Sequence, residues 1–233
     1  MMKDIVKIGL ASIGLVLMTM QGYGQEKYAV TGKISGWPTE TVYLVRQGNY
    51  PGVDSVQTQD GSFAFKGTIA GPTVAYLITA KKGGVAKFLY VEPGDITVQG
   101  AFSSLQDVDV QGSPSYKDYL ALKKGHEEIN TKAAQYTLQI EESEDDEEIQ
   151  ALNNSIANLR ETGVKFSQEF IKSHPQSAVS LAELKSLTDV LENAALVALF
   201  KGLNEQVRTS PEGLFIGENL KYMGTDVRPL ESN

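Results

Sequence analysis

The chain has 233 residues, of which 41% are hydrophobic and 21% charged, with no cysteine and a formal net charge of −8. That composition excludes wholesale disorder, and the missing cysteines exclude disulfides, thiolate metal sites, iron–sulfur clusters, a cysteine nucleophile, a dithiol redox centre and a lipid anchor on cysteine. The negative balance argues against nucleic acid as a partner, since such ligands are held through neutralised phosphates.

Residues 1–24 read as a cleavable signal peptide. Lys3 and Lys7 precede an apolar run, Ile8 to Met20, whose polar members are Ser12 and Thr19. Gly22 and Gly24 stand at the −3 and −1 positions for cleavage before Gln25. The run is shorter than the roughly 18–20 residues of a spanning helix, although an uncleaved anchor is the alternative. No second hydrophobic span follows. The expected location is therefore periplasmic or otherwise extracytoplasmic, with no stable membrane span after cleavage.

Residues 25–112 carry the signature of an antiparallel β-sandwich or barrel. Tyr28, Val30 and Ile34 alternate with polar or small neighbours, the period of a half-buried strand. Thr41 to Gln47, Gly61 to Ile69, Thr73 to Ala80, Ala86 to Glu92 and Asp95 to Gly100 continue the series. Asp60-Gly61, Gly83-Gly84 and Pro93-Gly94 are hairpin-type turn signals, and Trp37-Pro38 ends the first strand. The spacing predicts about seven short strands.

Residues 113–223 change period. Ser113 and Pro114 form a helix start. Tyr119, Leu122, His126, Ile129, Ala133, Tyr136 and Ile140 follow at alternating spacings of three and four, and so do Ile149, Leu152, Ile156, Leu159, Gly163, Phe166 and Phe170. Two such seams predict a long antiparallel αα-hairpin. Its expected register sets Tyr119 against Phe170, Leu122 against Phe166 and Ala133 against Ile156. Shorter helices are expected over Ser177 to Leu191, Asn193 to Leu203 and Ser210 to Tyr222. Residues 224–233 have no period and are expected to form a flexible tail. The fold class is thus α+β, a β-sandwich or barrel followed by an all-helical segment.

Candidate chemistry is sparse. His126 is expected opposite Gly163, where its ring either fills the space glycine leaves or acts as a buried base or metal ligand; with no carboxylate or second histidine on its seam, packing is the favoured reading. His174 precedes Pro175 and reads as a helix stop. Glu141 to Glu148 places seven carboxylates in eight residues. It reads as a solvated hairpin tip, with a cation or basic-partner patch as the alternative, and it lacks the calcium-loop pattern. Lys81 and Lys82 beside Gly83-Gly84 suggest phosphate only if a helix opened there, and none is expected. Trp37 and Tyr50 lie near turns, where they either pack or present surface rings to a sugar or peptide. No nucleophile elbow, phosphate loop, dinucleotide fingerprint or H-E-x-x-H occurs. No catalytic, cofactor-binding or metal-ligating residue is assigned.

The segments GTIAGPTVAYLIT and AKFLYVEPGDITVQG, then GSPSYKDYLAL, FIKSHPQSAVSLAELKSL and TSPEGLFIGENLKYM, resemble in their order the N-terminal region of TlpA/AhpC-type thiol–disulfide oxidoreductases of Bacteroides-like bacteria. The resemblance covers roughly residues 27–223. It implies an exported β-sandwich domain of unknown function and a helical segment, which in that family precede a thioredoxin-like domain with a W-C-x-x-C motif. No position here matches that motif, so no catalytic residue carries over. The expected function is a non-catalytic accessory or binding module contacting a protein or envelope ligand. Its rivals are a truncated or split oxidoreductase with the thioredoxin-like domain on another chain, and a small-molecule hydrolase using a carboxylate or His126.

Overall fold

The computed structural model describes residues 25–79 and 86–223. Residues 1–24, expected as a signal peptide, Lys81, Lys82, Gly83 and Gly84, expected at a turn, and residues 224–233, expected as a tail, lie outside the described residues. Among the described residues no helix is long and apolar enough to cross a membrane.

Eight strands form two four-stranded sheets: β1 (Glu26–Ser35), β2 (Thr41–Gln47), β3 (Gly52–Gln57), β4 (Ser62–Ile69), β5 (Thr73–Thr79), β6 (Ala86–Val91), β7 (Gly94–Ala101) and β8 (Asp109–Gln111). One sheet has the order β4-β1-β7-β8 and the other β3-β2-β5-β6. The architecture is a sandwich and not a barrel. Nor is it wholly antiparallel, because β1 and β7 run parallel with Val30 beside Ile96. The alternation that marks each strand sends Val30, Phe65 and Ile96 inward from one sheet and Leu44, Leu77 and Leu89 from the other, all buried.

Two turn signals act differently from simple hairpins. Asp60 and Gly61 both take positive φ (49° and 72°), the pattern of a two-residue type I′ turn. The flanking strands β3 and β4 nevertheless belong to different sheets. Gly61 is obligatory here, since a Cβ would lie 1.9 Å from the Ile34 carbonyl oxygen. Pro93-Gly94 likewise carries the chain from β6 in one sheet to β7 in the other. That corner delivers β7 alongside β1, and the parallel pair follows from it.

The helical half begins where expected. Ser113 caps α1 (Pro114–Glu142) by accepting from the Tyr116 amide, and Pro114 takes the first turn. Asp145 caps α2 (Asp146–Ser173), accepting from the amides of Glu147 and Glu148. Part of the acidic run is therefore a helix start, placed where the dipole favours negative charge. The two helices form the antiparallel hairpin, in which Leu122 and Phe170 of the seams are buried and the other seam residues half-buried. Phe166 seats its ring where a Cβ on Gly125 would stand, 2.1 Å from the built position, as a long helical side chain leaning towards the start of its own helix does. Gly125 is off the apolar seam, and its missing side chain makes room for that ring. Between Leu122 and Ser167 neither helix has a buried residue, so the outer hairpin is a two-helix arm.

Four shorter helices follow: α3 (Ala178–Ser186), α4 (Asn193–Gly202), α5 (Glu205–Arg208) and α6 (Pro211–Met223). Ile171, Leu181, Leu184, Leu196, Leu203 and Ile216 form their core. The sandwich core does not stop at β8 but continues onto Tyr116, Leu122, Phe170 and Val179.

Candidate ligand site

The two halves meet at Glu92, immediately after β6. It is buried, 7% exposed. Its Oε1 accepts from the Ser115 amide at 3.0 Å and from the Ser113 hydroxyl, and Oε2 accepts from the Ser115 hydroxyl at 3.0 Å. All three donors belong to the start of α1, where unpaired amides and the helix dipole favour an anion. Among the described residues no cation forms an ion pair with it. A buried carboxylate is costly unless hydrogen-bonded, and these donors meet that cost. Glu92 thus bolts the corner of the sandwich to the first long helix.

Beside this bolt lies a cavity of about 290 Å³ between the sandwich and the short helices. Asn49, Tyr50 and Glu92 line it from the sandwich, and Gln176, Gln206 and Ser210 from the helical side. A second cavity of about 230 Å³ shares Asn49, Pro72 and Ala178 with the first and reaches Tyr90 and Glu212. The walls are held by short loops. The Asn49 side chain accepts from the Glu212 amide at 2.7 Å, tying the β2–β3 loop to α6. Burial pushes the Tyr90 phenol well above its ordinary range, and the Glu212 carboxylate adds to the shift. The first cavity is lined by carboxylates, amides and hydroxyls around apolar walls, and no histidine is among its lining residues. Such a set can hold a ligand through hydrogen bonds.

The residues singled out from sequence fall elsewhere, with one exception. Tyr50 lines the cavity, half-buried. Trp37 is core, 4% exposed, and its Nε1 donates to Glu40 Oε1 at 3.0 Å, so it presents no ring to a ligand. His174 terminates α2 as expected, stacked on Phe170 with ring centroids 4.2 Å apart.

His126 packs edge-on against Phe166 at 5.3 Å, not into a gap at Gly163, where a built Cβ meets nothing within 4 Å. Its seam lacks a carboxylate, but α3 supplies one: Glu183 Oε1 lies 3.0 Å from His126 Nε2. Sequence spacing could not reveal this, because the partner is on a third helix. Ser167 Oγ also approaches Nε2, at 3.4 Å. In a nucleophilic triad the carboxylate holds Nδ1 and leaves Nε2 to the hydroxyl. Here both groups address the same nitrogen, and the His126–Glu183 contact ties the hairpin to α3.

The junction was not foreseen because its residues are scattered. Glu92, Ser113 and Ser115 do carry a local signal, a cap motif followed by a second serine, but nothing in that motif points back to the strand corner. No curated protein and no solved structure matches the chain. Residues 28–119 match the family model described as a domain of unknown function (DUF4369), a stretch that takes in both sheets, Glu92 and the two serines that hold it.

Proposed function

We propose that the chain is an exported, non-catalytic binding module that takes its ligand in the cleft where the sandwich meets the short helices. The observation that carries this reading is the pair of adjoining cavities at the junction, lined by hydrogen-bonding side chains from both halves. Clefts between structural units are preferred sites for small ligands. Export rests on the n-region, apolar run and small-residue cleavage site of residues 1–24. A relation to the N-terminal part of thiol–disulfide oxidoreductases rests on the order of the segments quoted above, and the matched domain of unknown function covers the sandwich that this resemblance implies. In that relation the scaffold is kept while no cysteine is available for the chemistry.

The test uses the chain from Gln25 to Asn233, incubated with a cell-envelope extract, with retained small molecules identified by mass spectrometry. Gln206→Trp places an indole at the cavity mouth from an exposed lining position. The expected result is a compound retained by the unsubstituted chain and lost in Gln206→Trp, with both proteins melting alike. Equal retention by both, or none by either, overturns the reading. The DNA beyond the Asn233 codon tests the relation to split oxidoreductases: a thioredoxin-like frame supports it and an intergenic gap refutes it.

A further inference from the structure

Lys87 is a buried cation that forms no ion pair among the described residues. It points inward from β6, the edge strand of its sheet, and is 5% exposed. Its Nζ donates to the Gln106 carbonyl at 2.6 Å and lies 5.6 Å from the centre of the Tyr116 ring. Among the described residues no carboxylate comes within ion-pair distance. An ammonium has three donors, and one protein acceptor is in place. Desolvation pulls the Lys87 amine below its ordinary range. A charge buried in this way is costly unless an anion completes it.

The space for that anion is present. Lys87 lines a cavity of about 390 Å³ between the open edge of β6, the 3₁₀ turn at Phe102–Asp107 and the start of α1. Phe88, Tyr116 and Tyr119 supply its aromatic wall, with the Phe88 and Tyr119 rings 4.5 Å apart. The charged groups facing it are Asp107 on the 3₁₀ turn, Asp109 on β8 and Lys123 on α1, all exposed at the rim. Two rim carboxylates oppose a multiply charged anion such as phosphate. A single carboxylate carried on a flat apolar body matches the buried ammonium and the rings together.

We propose that this cavity is a binding site for a monocarboxylate with an aromatic body, its carboxylate paired with Lys87 and its ring against Phe88, Tyr116 and Tyr119. The site is separate from the junction cleft and stands without it.

Isothermal titration of the 25–233 chain with benzoate, benzyl alcohol and inorganic phosphate tests the assignment. Benzoate is expected to bind at least tenfold more tightly than benzyl alcohol, and phosphate not to compete. Lys87→Met keeps an unbranched side chain one atom shorter and removes the charge. It is expected to weaken benzoate at least tenfold while melting no lower than the unsubstituted protein, as replacing a buried unpaired charge by an apolar isostere allows. A second measurement needs no variant. The paired form is the ammonium, so benzoate affinity in the unsubstituted protein must fall as the amine loses its proton, followed from about pH 7 to about pH 11. Equal binding of benzoate and benzyl alcohol, benzoate affinity flat over that range, or no benzoate binding overturns the proposal. A Lys87→Met protein that melts much lower than its parent also overturns it, because Lys87 would then be a strut to Gln106 and not a ligand group.

Discussion

Glu92 offers the sharpest test of how the two halves are joined. Glu92→Gln keeps the shape and one acceptor oxygen but removes the charge and turns an amide towards the Ser115 hydroxyl. The carboxylate receives three hydrogen bonds. Bonds to a charged group contribute about 1.5–3 kcal/mol and neutral ones about 0.5–1.5, so losing the charge costs about 1 kcal/mol per bond. The helix N-terminus adds about 0.3–1 kcal/mol at an exposed site and more when buried. The expected loss is about 2–4 kcal/mol for Glu92→Gln, and at least as much for Glu92→Ala, which strands all three donors. Urea unfolding of the 25–233 chain, followed by two probes, measures it. A double-mutant cycle with Ser115→Ala should return a coupling of about 1 kcal/mol or more. A Glu92→Gln protein within 0.5 kcal/mol of its parent would refute the bolt.

Two further predictions follow from packing and titration. Gly163→Ala should stabilise the chain by about 0.5–1 kcal/mol through helix propensity, because a Cβ there meets nothing within 4 Å. Gly125→Ala, with the same propensity gain, should destabilise it, because the Phe166 ring occupies the space; paired thermal melts decide, and equal signs would refute the seating of Phe166 on Gly125. Tyr90 makes the stability alkaline-sensitive. Above a pH of about 10 the unfolded chain gives up its phenol protons while the folded chain keeps that of Tyr90, so stability present below this pH is lost as pH rises. Tyr90→Phe should flatten the fall in melting temperature between pH 9 and 11.

What the sequence reveals depends on how local each determinant is. The strands announced by alternating apolar residues are all present, and so are the helix starts at Ser113-Pro114 and Ser210-Pro211, because alternation and caps are short-range signals. β3 was missed because Val53 and Val56 fall on opposite faces and leave no period. The helical pair is readable from its seams, but the notch that receives Phe166 is not: Gly125 carries no hydrophobicity, and a notch enters no pattern of apolar spacing. The junction was the least visible of all. It joins a strand corner to a helix cap more than twenty residues on, and nothing in either segment names the other. His126 shows both limits together, since its seam was correct and its partner Glu183 came from a third helix.

The two buried charges flanking β6 explain why one end of this strand is closed and the other open. Lys87 stands near its start and Glu92 just past its end. Five residues of extended chain separate them by about 17 Å. At that separation their attraction is about 1 kcal/mol at an effective dielectric of about 20, well short of the cost of burying either charge, so neither neutralises the other. Each must be satisfied locally. At Glu92 the first turn of α1 brings two hydroxyls and an amide, and the carboxylate is fully occupied by the chain's own groups. At Lys87 the same helix is already a turn further on and presents Tyr116, Tyr119 and Lys123, two rings and a like charge. The helix that seals one end of β6 therefore cannot seal the other, and the cavity beside the Lys87 ammonium follows from the direction in which α1 leaves the corner.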